Sequence, residues 1–143
     1  MILITLFFNR IIFHNPMPIK LMPTLFILLA PPAVGFLAYV KLTGEVDVFA
    51  RILYYSAAFL FLLLTVQVRV FIKVPFFLSW WAYSFPLAAT TLATFVMSRH
   101  LPDNSVLWYF AVLLYTVLLG VIALLLTLTL KAALKQQICV NED

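Results

Sequence analysis

The side chains that could do acid, base or metal chemistry are few in this sequence and lie far apart. His14 and His100 fall in linkers at opposite ends of the predicted helices, so they could not share a metal ion or a proton relay. Cys139 is the only cysteine, which excludes an internal disulfide and a thiolate metal site. The sequence has no phosphate-binding glycine loop, no dinucleotide fingerprint and no metal-binding histidine pair. It therefore predicts a protein that is not an enzyme, with no cofactor and no metal.

The residues that could act through shape are Phe85 and Pro86, in the uncharged stretch 79–87. Proline removes one backbone hydrogen bond and presses against the carbonyl four residues before it, so Pro86 should bend the helix near Ala82 by more than about 20°. In hydrocarbon the freed carbonyl needs a partner, which places the bend inside a helix bundle or beside a water-filled path. Phe85 at such a bend could plug the path. It could also fill a core or face lipid, as most membrane aromatics do.

A second proline break, Pro31-Pro32, lies 54 residues before Pro86, which is the length of one helical hairpin. This spacing indicates a weak internal repeat in which broken helices alternate with unbroken ones, a pattern typical of transporters. Small side chains surround the second break, and the candidates for lining a pore there are Ala82, Ala89 and Ala93. The same residues would also allow close packing of helices, and periodicity alone favours packing.

The elements that must position these residues are membrane helices. Of the 143 residues, 66% are hydrophobic and only 10% are charged, whereas about a quarter are charged in a soluble domain. Four apolar stretches approach the roughly 20 residues that a bilayer requires, at 21–40, 52–70, 76–97 and 106–130. The sequence predicts an all-α integral membrane protein: a helix end at 1–13, hairpins at 21–70 and 76–130, and a tail at 131–143.

The charged residues in the linkers predict the orientation of these hairpins. On one side the basic residues are Arg10, Lys20, Arg69, Lys73, Lys131 and Lys135, and on the other Lys41, Arg51 and Arg99. The excess on the first side places it, together with Cys139 and the C-terminus, in the cytoplasm. No basic cluster is dense enough to follow a phosphate backbone, so we expect no nucleic-acid partner.

No Asp, Glu, His or Lys lies in the body of any predicted span. Proton-coupled carriers and pumps need titrating groups at that depth. The pattern therefore favours a passive route, unless the coupling groups lie in other sequence.

Two motifs resemble those of the tellurite-resistance/C4-dicarboxylate transporter family, whose plant members are the slow anion channels. They are Pro-Thr-Leu-Phe-Ile-Leu-Leu-Ala-Pro-Pro-Ala at 23–33 and Trp-Trp-Ala-Tyr-Ser-Phe-Pro at 80–86, and residues 8–14 resemble the end of the family's sixth helix. The resemblance implies ten helices in five hairpins, with the proline-kinked odd helices around a pore that a phenylalanine blocks. It maps the four spans to helices seven to ten and the gate to Phe85, with Pro31, Pro32 and Pro86 as the kinks.

The resemblance also implies the function and the partners. It implies passage of small anions or organic acids of the C4-dicarboxylate and malate class through a phenylalanine-gated pore. It further implies a homotrimer in the plasma or inner membrane, in contact with the lipid bilayer. The match covers less than half of a family protein, so we expect a truncated chain. The alternatives are a proton-coupled dicarboxylate carrier, and a membrane remnant or assembly partner that transports nothing.

Overall fold

The computed structural model describes residues 9, 25–66, 78–101 and 105–134. Four α-helices follow one another: α1 (Ala30–Thr43), α2 (Val48–Val66), α3 (Ser84–His100) and α4 (Ser105–Leu134). Short 3-10 helices precede α1 at residues 25–29 and α3 at Leu78–Tyr83. Within these ranges there is no β-strand, and the predicted all-α membrane fold is confirmed. The helix end at 1–13 falls outside this part except for Asn9, and so do Arg69, Lys73 and Cys139.

Three helices are long and apolar enough to cross a membrane, namely Leu25–Thr43, Val48–Val66 and Ser105–Leu134. The sequence predicts four spans, and the difference lies at 76–97. There the 3-10 helix Leu78–Tyr83 and the α-helix that follows it together have the length of a span, as 25–43 does, but α3 is less apolar than the other three helices. A proline has no N–H to donate, so it is best placed in the first turn of an α-helix, where no intrahelical acceptor exists. Pro86 therefore lies at the start of an α-helix and does not interrupt a longer one. α4 extends four residues into the predicted tail.

The turn between α1 and α2 is fixed by two capping residues. Gly44 adopts a left-handed conformation (φ 76°), and its N–H donates to the Val40 carbonyl at 2.8 Å, which ends α1. Asp47 precedes α2, and its Oδ1 accepts a hydrogen bond from the Ala50 N–H at 2.9 Å. The Tyr39 hydroxyl donates to Asp47 Oδ2 at 2.6 Å. The Ala50 N–H and then the Tyr39 hydroxyl hold the pKa of the Asp47 carboxyl below its ordinary value.

Acidification should weaken this hairpin, because Asp47 has a lower pKa in the folded protein than its ordinary 3.8. Its stabilising effect is complete above that ordinary value and is lost as the pH falls through the folded-state pKa. We expect Asp47→Asn, which can still cap a helix, to remove this component of the acid dependence. Thermal unfolding in detergent between pH 2 and pH 7 measures it, with Glu45→Gln in the same turn as the control. Identical acid profiles for the native chain and Asp47→Asn would contradict the assignment.

α3 lies at the centre of the bundle and packs on α4, α1 and α2. Its small side chains allow this close approach, since Ala89 and Ala93 are buried in the same core as Phe36 of α1 and Tyr54 of α2. Four buried hydroxyls donate to carbonyls of their own helix at 2.8 Å, so they need no water. They belong to Thr90, Thr91, Thr94 and Ser98.

Candidate functional site

The junction before α3 joins two helix types at a proline. The 3-10 helix ends at Tyr83, and Pro86 is the third residue of the α-helix that follows. The Ser84 hydroxyl donates to the Trp81 carbonyl at 2.8 Å. The Thr90 hydroxyl donates to the Pro86 carbonyl, also at 2.8 Å. The Ser84 and Thr90 hydroxyls thus donate hydrogen bonds to one carbonyl before and one carbonyl after the change of helix type. The bend angle at Pro86 stays a prediction.

Phe85 is held at this junction with its ring outside the core. The side chain is 62% exposed, while the adjacent Pro86 is fully buried. Leu92, seven residues later, is 57% exposed, and Arg99, seven residues after that, is exposed as well. Because seven residues make nearly two helical turns, these three residues lie on one side of α3. The ring is therefore not part of this chain's core, which leaves a position that faces a path, lipid or a helix from another segment.

The three alanines predicted as pore-lining candidates lie in other surroundings. Ala89 and Ala93 are buried in the core formed with α1 and α2, and Ala82 in the 3-10 helix is half-buried. In the described residues, Ala89 and Ala93 thus serve the packing of helices, the alternative that periodicity favours. Ala88, which is half-buried, lies closer to the exposed side of α3. A pore-lining role for these alanines stays a prediction.

The first proline break has the same construction as the second. A 3-10 helix at 25–29 leads into α1, and Pro32 is the third residue of α1, as Pro86 is of α3. Pro31 is exposed and corresponds to Phe85 at the offset of 54 residues, and Ala38 is exposed and corresponds to Leu92. Buried residues correspond too, at 33 and 87, 36 and 90, and 40 and 94. α1 and α3 therefore present equivalent faces outward. The repeat seen in the sequence also holds for which of these residues are exposed and which are buried.

The electrostatics of these faces are simple. In the described helices, Lys, Arg and His occur only in first or last turns, at Lys41, Arg51, Arg99, His100 and Lys131. Among the described residues no His, Cys, Asp and Glu cluster could hold a metal ion. The exposed side of α3 consequently runs from an aromatic ring through an aliphatic side chain to one cation.

Sequence reasoning missed Leu92 and Arg99 as members of this face. The signal was present, because both follow Phe85 at intervals of seven residues. It could not be used without knowing which side of α3 is buried.

Comparison with known proteins places this geometry in context. The family profile described as "SLAC1: Voltage-dependent anion channel" matches residues 1–130. The S-type anion channel SLAH3 of Arabidopsis thaliana is 30% identical over 99% of this chain, which corresponds to 22% of SLAH3. The guard cell S-type anion channel SLAC1 of the same plant is 25% identical over 66% of this chain and 17% of its own length. No solved structure matches the chain.

Another relative is the uncharacterized transporter MJ0576 of Methanocaldococcus jannaschii. It is 29% identical over 64% of this chain and 28% of its own length. These three relatives are named as channels or as a transporter, and none is named as an enzyme. The chain spans about a fifth of the length of the plant relatives that it matches.

Proposed function

The chain belongs to the SLAC1 family of voltage-dependent anion channels, and from that premise we propose that α1 and α3 form part of the wall of an anion-conducting pore. The observation that carries the proposal is the exposure of Phe85 at a proline junction on the central helix. A bulky ring that leaves the core of its own chain there has the position expected of a plug. The equivalent outward faces of α1 and α3 would each form one part of the pore wall, and other helices would form the rest.

Conduction along such a wall would rest on weak attraction. The outward face of α3 offers Phe85 and Leu92, with no fixed charge between them and Arg99. An anion that meets no strong binding group on the way is not trapped, and multi-site weak binding favours throughput. Phe85 would close the route by occupying its volume, so opening requires only that the ring moves or is removed.

A chimera tests this function. The segment of SLAH3 that this chain matches would be replaced by the 143 residues, and whole-cell currents would be recorded with chloride, nitrate or malate as the anion. We expect anion currents that do not depend on a pH gradient. Absence of current from a chimera that reaches the cell surface in normal amounts would contradict the proposal. Currents that require a proton gradient would favour the coupled-carrier alternative.

Three finer features belong to the same proposal. The permeant class includes malate and other C4-dicarboxylates, which the chimera's selectivity tests. The complete assembly is a homotrimer in the plasma or inner membrane, which light scattering of the purified chimera tests. The C-terminus is cytoplasmic, so a membrane-impermeant maleimide should label Cys139 only after lysis.

A further inference from the structure

A cavity of about 640 Å³ lies beside the core that α1, α2 and α3 form. Its walls come from both 3-10 helices, from α2 and α3, and from the length of α4. They include Phe26, Phe61, Tyr83, Leu87, Val117 and Leu124. The lining is almost entirely apolar, and the Thr65 hydroxyl at its edge donates to the Phe61 carbonyl at 2.7 Å. Such a lining offers few polar groups that could hold water in place.

The described residues leave this cavity open between α2 and α4. α4 packs mainly on α3, and its wall residues Leu113, Val117 and Leu124 are exposed. Both α2 and α4 are membrane-spanning by length and composition, so the cavity lies at the depth of the hydrocarbon. At Gly120 an added Cβ would meet no atom within 4 Å, which leaves extra width at the α4 wall.

A void of this size would not stay empty inside a bilayer. Apolar walls without partner atoms lose their dispersion contacts, and the surrounding medium consists of acyl chains. Along α4 the lining extends from Phe110 to Leu125, about 22 Å at 1.5 Å per residue. This length exceeds the hydrocarbon depth of one leaflet, about 15 Å.

A cation marks where the head group would lie. Lys131 follows Leu124 by seven residues, so it is on the same side of α4 and about 10 Å further along the axis. It is exposed and lies in the last turn of the helix, where the span reaches the membrane surface. A chain that spans one leaflet, about 15 Å, from a phosphate near Lys131 ends near Val121, so it would fill the end of the cavity nearest Lys131.

We propose that the cavity between α2 and α4 binds an acyl chain of an anionic phospholipid, with Lys131 contacting its head group. The lipid would pack between α2 of the first hairpin and α4 of the second, on the side away from Phe85. It is a structural ligand of the bundle, and the proposal does not depend on conduction.

Quenching of tryptophan fluorescence by brominated lipid tests the site in the 143-residue chain. Trp80 lines the cavity, so Trp81→Phe and Trp108→Phe would make it the only reporter. The purified chain in detergent would be titrated with phosphatidylglycerol that carries bromine on its acyl chains. We expect saturable quenching, which Gly120→Phe weakens by about ten-fold because the ring takes the space of the chain. Ala123→Phe, on another side of the same helix, should leave the titration unchanged.

The head-group contact has its own test. Lys131→Gln should weaken quenching by brominated phosphatidylglycerol about five-fold, the effect of one basic residue near an anionic lipid surface, and should not alter quenching by brominated phosphatidylcholine. Quenching that does not saturate, or that is equal in the native chain and Gly120→Phe, would overturn the proposal. Loss of quenching in the SLAH3 chimera would also overturn it, since a protein segment would then fill the cavity.

Discussion

Replacing Phe85 with Ala should raise the anion conductance of the SLAH3 chimera several-fold. The ring is 62% exposed at the junction before α3, so its removal opens volume outside the core of the chain. A fully buried phenylalanine would instead cost about 3–5 kcal/mol of folding stability when truncated. Because most of this ring is outside the core, the loss should be well below that range. Currents normalised to folded protein at the cell surface measure the effect.

The matched control for this substitution is Phe59→Ala. Phe59 is 64% exposed on α2, one of the helices beside the apolar cavity, and it lies on no face that we assign to the pore. Its truncation should leave conductance unchanged. Unchanged or reduced conductance in Phe85→Ala at normal folded abundance would contradict the plug. A rise of the same size in both variants would show that the effect is not specific to Phe85.

Ala89→Leu should lower the stability of the fold and leave conductance per folded molecule little changed. Ala89 is buried in the core shared with α1 and α2, and the added atoms of a leucine there force neighbouring groups to move. Such overpacking costs about 1–3 kcal/mol. We expect less folded protein and a lower thermal midpoint, with conductance per folded molecule little changed. Size-exclusion profiles at increasing temperature measure the stability.

Ala88→Leu is the comparison for Ala89→Leu. Ala88 is the residue before Ala89 on α3 and is only half-buried. The same increase in size should be tolerated by the fold and should narrow the pore, which lowers conductance. If Ala89→Leu folded normally and blocked current, Ala89 would be a pore-lining residue, as the resemblance to the family predicts.

Much of the architecture could be predicted from the sequence, because the length of an apolar stretch and the position of a proline determine helix formation locally. The all-α membrane fold follows from apolar stretches near the length of a bilayer, and Pro32 and Pro86 mark real changes in helix type. The predicted third span, 76–97, stays a prediction, and within it the structure has a 3-10 helix followed directly by an α-helix. A proline both disrupts the turn before it and starts the turn after it, and sequence alone did not distinguish a bent helix from a 3-10 to α junction.

The surroundings of side chains could not be predicted, because they depend on which helices pack together. Ala82, Ala89 and Ala93 suit a pore wall and a helix contact equally well, and only the position of α3 at the centre of the bundle separates the two. Phe85 could be proposed as a gate from its neighbour Pro86, but its exposure depends on where α1 and α4 lie. The cavity beside Gly120 has no sequence signature, since it arises where α2 and α4 diverge.

The face of α3 that bears Phe85 and Leu92 should line a water-filled path, and cysteine accessibility measures whether it does. Single cysteines at Phe85, Leu92, Ala89 and Phe59 would be placed in a chimera without other cysteines and treated with a charged, membrane-impermeant methanethiosulfonate. We expect rapid modification at Phe85 and Leu92 with a change in current, and none at buried Ala89 or at exposed Phe59 of α2. Modification at Phe85 and Leu92 no faster than at Phe59 would contradict the pore assignment, because that face of α3 would then be no more accessible to water than Phe59.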